Sequence, residues 1–403
     1  MVAPFTSAQG ALAGLRVLDL TRVLAGPFCT MILGDMGAEV VKVEQPGRGD
    51  DTRAWGPPFQ GAESAYFLSV NRNKRGATLN LKDPRGQEIL RALIRKSDVV
   101  IENFKSGTLD AWGCGHNFME KEAPHVVHCT ISGYGSSGPK ATLPGYDFLL
   151  QAESGLMSIT GEQNGDPMKL GVAIVDLCTG LYATIAILGA LNARNHGSPG
   201  QRVEVSLYTT SLALLANVAS NVLISGNPAG RYGNGHPNIV PYRTYRCLAD
   251  DMALAVGNDL QFARFAAAVG HSEWVADARF ARNRDRVENR AVLDGIIETT
   301  LASRTADEWI EILLAAEVPC SRINTVNEAL AAPQTAATGM VIEVEHATAG
   351  IFRSLGIPMI FSGTPTAVRR PPPTLGEDTD AVLAELAGLG PDDIRNLRAA
   401  GIV

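Results

Sequence analysis

From residue 15 to residue 131 the chain alternates short apolar runs with helix signals, and no other feature limits the fold as much. Residues 15–20 (Leu-Arg-Val-Leu-Asp-Leu) and 39–44 (Glu-Val-Val-Lys-Val-Glu) have the β-branched and leucine content of buried strands. Between them Pro27 suits the first turn of a helix, and Gly37 suits its stop. The pattern then repeats. Asp83 followed by Pro84 reads as an N-cap and first-turn proline, opening a helix to about Lys96. Residues 98–102 and 126–131 read as further strands, with a helix from about Leu109 between them. Strands separated by helices pair in parallel, with both faces of the sheet covered, so the expected class is α/β. Ligands on such sheets bind outside the carboxyl ends of the strands, which singles out loops 21–27, 45–55, 103–107 and 132–147.

Residues 15–44 make one β-α-β unit that is Rossmann-like in topology. Its turn, residues 24–30 (Leu-Ala-Gly-Pro-Phe-Cys-Thr), lacks the G-x-G-x-x-G that lets a backbone approach a pyrophosphate, which argues against a nicotinamide or flavin gripped by Glu44. The chain's 403 residues suffice for two domains and a large core. A formal net charge of −7 argues against a general nucleic-acid or membrane-surface role, so an anionic ligand would need a local basic pocket. Cys29, Cys114, Cys129, Cys178, Cys247 and Cys320 lie far apart, with no C-x-x-C pair and no histidine spaced for zinc. They read as reduced thiols of a cytoplasmic protein. No basic segment followed by an apolar core opens the chain, so no secretory signal is expected. The apolar runs 181–191 and 211–224 fall short of the roughly 18 residues of a membrane span.

Composition changes after about residue 225. Residues 226–237 are dense in glycine, proline and asparagine and read as a linker or long loop. Residues 252–256 then read as a strand and 262–317 as mostly helical, with Thr305 and Glu308 spaced as a capping box. Pro371, Pro372 and Pro373 suggest an extended strap. The expected organisation is a large domain over 1–225, a smaller α+β domain over 226–330, and a return to the large domain over 331–403.

Asp176 precedes the apolar stretch 181–191, which reads as a core helix wrapped by other elements. A carboxylate at the mouth of that helix would feel the positive end of its dipole, which favours the anion. A cap or first-turn residue is the plain reading, and a reactive carboxylate the sharper one.

Several runs, in order, decide between them: 17–21 (Val-Leu-Asp-Leu-Thr), Ala25 to Pro27, 34–44, 71–75 (Asn-Arg-Asn-Lys-Arg), Glu102 to Phe104, 132–135, Gly145-Tyr146-Asp147, Val175-Asp176, 234–261 and 375–379. Together they span nearly the whole chain and resemble the class III CoA-transferases, the group of formyl-CoA transferase and carnitine CoA-transferase. The resemblance implies that Asp176 attacks a donor acyl-CoA thioester, giving a mixed anhydride and CoA thiolate, then an aspartyl-CoA thioester that the acceptor acid resolves. A carboxylate suits this because both of its acyl derivatives are good acyl donors. The resemblance further implies CoA contacts at Leu24, Ala25, Leu79, Lys82, Asn103, Phe104, Lys105 and Tyr146. It implies an oxyanion loop at Gly257, Asn258 and Asp259, which departs from the glycine run of the formyl-CoA enzymes and so argues against formyl-CoA and oxalate. Lys82 and Lys105 are phosphate partners or solvated surface lysines, and the 71–75 cluster faces the nucleotide or a neighbouring loop. Gln45 and Ala111 stand where relatives often carry CoA-binding arginines. CoA and acyl-CoA enter as substrates, with no tightly bound cofactor and no metal. Two ring-like chains are expected to thread into an interlocked homodimer.

Tyr146 separates two enzyme readings. The related α-methylacyl-CoA racemases carry histidine there, and a tyrosine of pKa about 10 is a poor proton exchanger near neutrality. His236, in the glycine-rich loop, is the alternative second base. A CoA-binding protein without chemistry is the non-enzyme alternative, opposed by Asp176 at its expected place. The reading is CoA transfer from an acyl-CoA, with succinyl-CoA the leading donor, to a dicarboxylic or hydroxy-dicarboxylic acid.

Overall fold

Six strands, β1 (Arg16–Asp19), β2 (Glu39–Glu44), β3 (Lys74–Thr78), β4 (Val99–Glu102), β5 (Val127–Ser132) and β6 (Arg202–Ser206), form one sheet in the order β3-β2-β1-β4-β5-β6. Every pairing within it is parallel. Chain order reverses beside β1, so β1 and β4 flank the crevice where an open α/β sheet takes its ligand. Residues 10–403 are described in this computed structural model, and the stretch 1–9, read above for a secretory signal, lies outside them.

The apolar runs become β1, β2, β4 and β5 because Val17, Leu18, Val41, Val100, Ile101 and Val127 are all buried within the sheet layers. β3 and β6 were not expected. Their sequences, Lys-Arg-Gly-Ala-Thr and Arg-Val-Glu-Val-Ser, carry charge where a central strand is apolar. Both lie at sheet edges, where one side of the strand is free to meet polar partners. β3 is covered by the returning C-terminal segment: Asn73 N–H donates to Arg370 O (3.0 Å) and Asp378 N–H to Gly76 O (2.8 Å). The proline strap runs along this edge, where Pro373 O accepts from the Arg53 guanidinium at 3.0 Å.

The basic cluster at 71–75 is interior, not a nucleotide-facing surface. Arg72 forks onto both oxygens of Asp35 at 2.9 and 2.6 Å. Lys74 is fully buried, and its Nζ donates to Asp19 Oδ2 (3.1 Å), Pro27 O (2.9 Å) and Asn71 Oδ1 (2.8 Å). Burial alone would neutralise Asp19, but the ammoniums of Lys74 and Lys42 outweigh it and bring its carboxyl down to about 2.

Four of the helices are α1 (Ala25–Asp35), α2 (Pro84–Arg95), α3 (Asp147–Glu153) and α4 (Ile174–Asn195). α1 begins two residues before Pro27, which still falls where a helical N–H has no intrahelical partner. Asp83 caps α2 as expected, its side chain accepting from Arg85 N–H at 2.9 Å. α4 buries Val175, Thr179, Ala183, Ile187, Ala190 and Leu191. It lies close on α1: a Cβ on Gly180 would stand 2.6 Å from Ala25 O, so only glycine permits that approach.

Two expectations for α4 are corrected. It is not wrapped on all sides, since Leu181, Tyr182 and Ile185 are 45%, 45% and 63% exposed. At 22 residues it is also long and apolar enough to cross a bilayer, because small and polar residues flanking the apolar run extend the helix beyond it. Here its other face packs on α1 and the sheet.

One compact unit holds the chain up to Ser154, Leu170–Leu214 and Pro333–Val403; the other holds Gly155–Lys169 and Leu215–Ala332. The turn-rich stretch from 226 is therefore a loop inside the second unit, which already includes the helix Ala216–Ser225. That unit has an antiparallel sheet of Tyr242–Arg246, Asp251–Ala255 and Cys320–Arg322 packed with helices over Phe262, Phe265, Leu293, Ile297 and Leu313. The Thr305–Glu308 capping box forms as expected. All six cysteines are free thiols.

Candidate active site

At the carboxyl ends of the strands, within the first unit, lies a cavity of about 450 Å³. Asp176 reaches it from α4, Leu24 from the loop after β1, Ala25 from the start of α1, Asn103, Phe104 and Lys105 from the loop after β4, and Tyr146 from the loop before α3. Seven residues singled out from the sequence thus line one cavity. The size is that of pockets that enclose small-molecule ligands.

The walls are built by specific contacts. Arg22 and Asn103 lock two loops together, Arg22 N–H donating to Asn103 Oδ1 (3.0 Å) and Asn103 Nδ2 donating to Arg22 O (2.8 Å). Val23 stands in the left-handed region at φ 73°, costly for a β-branched residue. Its N–H donates to both Asp50 oxygens at 3.2 and 3.3 Å, and Asp50 is paired with fully buried Lys42 at 3.0 Å. Burial opposes charge on Lys42, but Asp50 and Asp19 outweigh it and raise its pKa above the ordinary lysine value. Gly133 and Gly145 touch backbone to backbone, and a Cβ on either would stand within 2.7 Å of the other.

Asp176 lies in the first turn of α4, after the N-cap Ala173. The helix mouth is occupied by another carboxylate. Buried Asp147 accepts from Val175 N–H (2.7 Å) and Asp176 N–H (3.2 Å) on Oδ1, and from Gln151 Nε2 (2.6 Å) on Oδ2. The expectation that the helix dipole favours the Asp176 anion is corrected: burial first, then the negative charge of Asp147, push its carboxyl up to about 7. Tyr66 faces the same charges; burial and then Asp176, Asp147 and Asp50 push its phenol up to about 12. Asp147 belongs to the Gly145-Tyr146-Asp147 run, but no role was expected for it from the sequence. The signal was a second carboxylate next to Tyr146.

Leu79, Lys82 and the 257–259 loop are absent from the cavity lining. Leu79 is buried in the core around Leu90 and Val100. Lys82 is exposed and outside the cavity lining, as are Gln45 and Ala111. Lys105 is exposed at the rim and forms no ion pair among the described residues. Gly257, Asn258 and Asp259 belong to the second unit. There Gly257 N–H donates to Gln261 Oε1 (2.7 Å), Asn258 caps a helix by accepting from Gln261 N–H (2.9 Å), and Asp259 pairs with Arg286 at 2.6 Å. Gly257 N–H is thus engaged by a side chain of the helix that follows. His236 is likewise occupied locally, its Nδ1 accepting from Asn238 N–H at 3.0 Å. Among the described residues no group of three or more His, Cys, Asp or Glu could hold a metal ion.

A human protein named succinyl-CoA:glutarate CoA-transferase is 41% identical over 392 residues, covering 97% of this chain and 90% of its own length. A protein of Agrobacterium fabrum named succinate–glutarate CoA-transferase is 42% identical over 381 residues, covering 93% and 95%. The solved structure of a CaiB/BaiF family protein from Brucella suis is 40% identical and superimposes with a TM-score of 0.81, covering 94% of this chain and 100% of that one. The sequence description of CoA-transferase family III matches residues 12–379, and with the cavity around Asp176 it settles the identity: the chain belongs to CoA-transferase family III.

Proposed function

We propose that this enzyme moves CoA from succinyl-CoA to a dicarboxylic acid, glutarate first among them, with Asp176 as the nucleophile. The observation that carries the reading is a desolvated carboxyl, pushed up to about 7, in the same cavity as Asn103, Lys105 and Tyr146. The names of the human and Agrobacterium relatives support the donor and acceptor.

Asp176 attacks the thioester carbonyl carbon; the C–S bond breaks, leaving a mixed succinyl–aspartyl anhydride and CoA thiolate. The thiolate attacks the Asp176 carbonyl carbon, releasing succinate and leaving an aspartyl-CoA thioester. Glutarate attacks that carbon, expelling thiolate and re-forming an anhydride, and thiolate attack on the glutaryl carbon yields glutaryl-CoA and the free carboxylate. No proton is gained or lost overall. A carboxylate of raised pKa is more basic, hence more nucleophilic, than an ordinary one, which favours the first step. Leu24, Ala25, Asn103, Phe104 and Tyr146 enclose the pantetheine arm, and exposed Lys105 meets a phosphate as a point charge. Leu181, Tyr182 and Ile185, exposed on α4, support an interlocked homodimer in which a second copy covers them.

Incubation with succinyl-CoA, hydroxylamine trapping and peptide mass spectrometry tests the assignment. A hydroxamate at Asp176 is expected. Turnover by Asp176→Ala, or an adduct at another residue, would defeat it. Light scattering showing a stable monomer would remove the dimer.

A further inference from the structure

A second, smaller cavity of about 40 Å³ adjoins the first, sharing Phe104, Ser106, Ile131 and Ser132 as walls. The sheet register builds it. Glu102 of β4 pairs with Thr130 of β5, Thr130 with Glu204 of β6, and His128 with Arg202. Alternation along the strands puts these five side chains on one face, and His116 reaches the same space from the helix His116–Glu122.

Polar atoms in this cavity lack protein partners. His128, 4% exposed, has none at either ring nitrogen; Thr130, 7% exposed, has none at Oγ1; His116 has none at Nδ1. Burying such atoms unpaired is costly, so the site is built to take a hydrogen-bonding guest. The volume admits one or two water molecules and no carboxylic acid substrate. The ionisable groups around Glu102 are Asp110, His116, His128, Arg202 and Glu204, a mixture of signs that selects neither a cation nor an anion. Glu102 itself accepts from Phe104 N–H at 2.6 Å, at the centre of the 103–105 loop that walls the larger cavity.

We propose that this cavity is a water-binding site built into the sheet, and that Glu102, bonded to Phe104 N–H and joined through that water to Thr130 and His128, is the positioning residue that sets the 103–105 wall for the CoA thioester. The proposal rests on the reading of the larger cavity as the acyl-CoA site.

Steady-state kinetics with succinyl-CoA and glutarate test it. Glu102→Ala removes the acceptor for Phe104 N–H and is expected to raise the KM for succinyl-CoA about tenfold, with the larger part of the loss in KM rather than kcat. Glu102→Gln keeps an oxygen in place and is expected to restore most of the wild-type KM. An unchanged KM in Glu102→Ala, or a loss confined to kcat, overturns the proposal. Lys105→Ala serves as the control: if it raises the KM while Glu102→Ala does not, this proposal fails alone. If neither moves the KM, the acyl-CoA reading of the larger cavity fails with it. Should Glu102→Ala not fold, a crystal structure of the wild-type enzyme decides. Ordered water within hydrogen-bonding distance of Thr130 Oγ1 and a His128 ring nitrogen is expected, and a dry cavity overturns the proposal.

Discussion

Oδ1 of Asp147 accepts the backbone N–H of Asp176 at 3.2 Å, while the negative charge of Asp147 helps keep the Asp176 carboxyl protonated up to about 7. One side chain therefore both anchors the start of α4 and tunes the group that α4 presents. The substitution Asp147→Asn separates the two roles, since a neutral amide oxygen still accepts that N–H but no longer repels the Asp176 anion.

The rate follows from that pairing. The kcat/KM for succinyl-CoA, which reports the unliganded enzyme, is expected to rise with pH through a limb near 7, as Asp176 ionises. Asp147→Asn should move the limb to lower pH without returning it to the ordinary 3.8, because burial, the larger cause, remains. A pH–rate profile of the two enzymes checks this. A limb unmoved by the substitution would show that Asp147 acts only as an anchor.

Stability should move against activity. Asp176 holds its proton to about 7 in the folded chain and loses it near 3.8 when unfolded, so between those values the folded state binds more protons. Folding stability attributable to this group is full below about 3.8 and is lost as pH rises toward 7. Asp176→Asn is therefore expected to melt above the wild type at pH 8 and level with it near pH 3.5 if both still fold there. Thermal denaturation at several pH values measures the difference, and an equal gap throughout would contradict the linkage.

The contact of Gly180 with Ala25 O predicts a packing penalty. Gly180→Ala gains helix propensity of about 1 kcal/mol but places a Cβ against a backbone oxygen at 2.6 Å, which overpacking data put at about 1–3 kcal/mol. Net destabilisation of about 1 kcal/mol in urea unfolding is expected, with a raised KM for succinyl-CoA because Leu24 and Ala25 are displaced. A stabilised variant with unchanged KM would mean α1 yields freely.

The Lys42–Asp50 pair, both side chains fully buried, supports Val23 in its strained conformation. Lys42→Met leaves a buried carboxylate unpaired and is expected to cost about 3–5 kcal/mol. Adding Asp50→Asn should recover part of that loss by removing the orphaned charge. Urea unfolding of the single and double variants supplies the cycle, and simple additivity would argue that the two groups do not interact.

The order of strands and helices was legible because it is written in local pattern. Val40, Val41 and Val43 mark β2, Asp83 and Pro84 cap α2, and Thr305 and Glu308 close a box, each through pattern a few residues long. That pattern also put the loops bearing Leu24, Asn103 and Tyr146 at one end of a parallel sheet, where they line one cavity with Asp176. Pairings across the chain were not legible. The 71–75 cluster reads as a basic patch until Asp19 and Asp35 meet it from β1 and α1, and β3 reads as too charged for a strand until residues 370–379 cover its edge. The charge state of Asp176 belongs to the same class. The sequence by itself determined that Asp176 falls in the first turn of the apolar helix, since that depends on position along the chain. Only the tertiary structure decided its proton affinity, because desolvation and the nearness of Asp147, 29 residues away, arise from packing and from no local pattern.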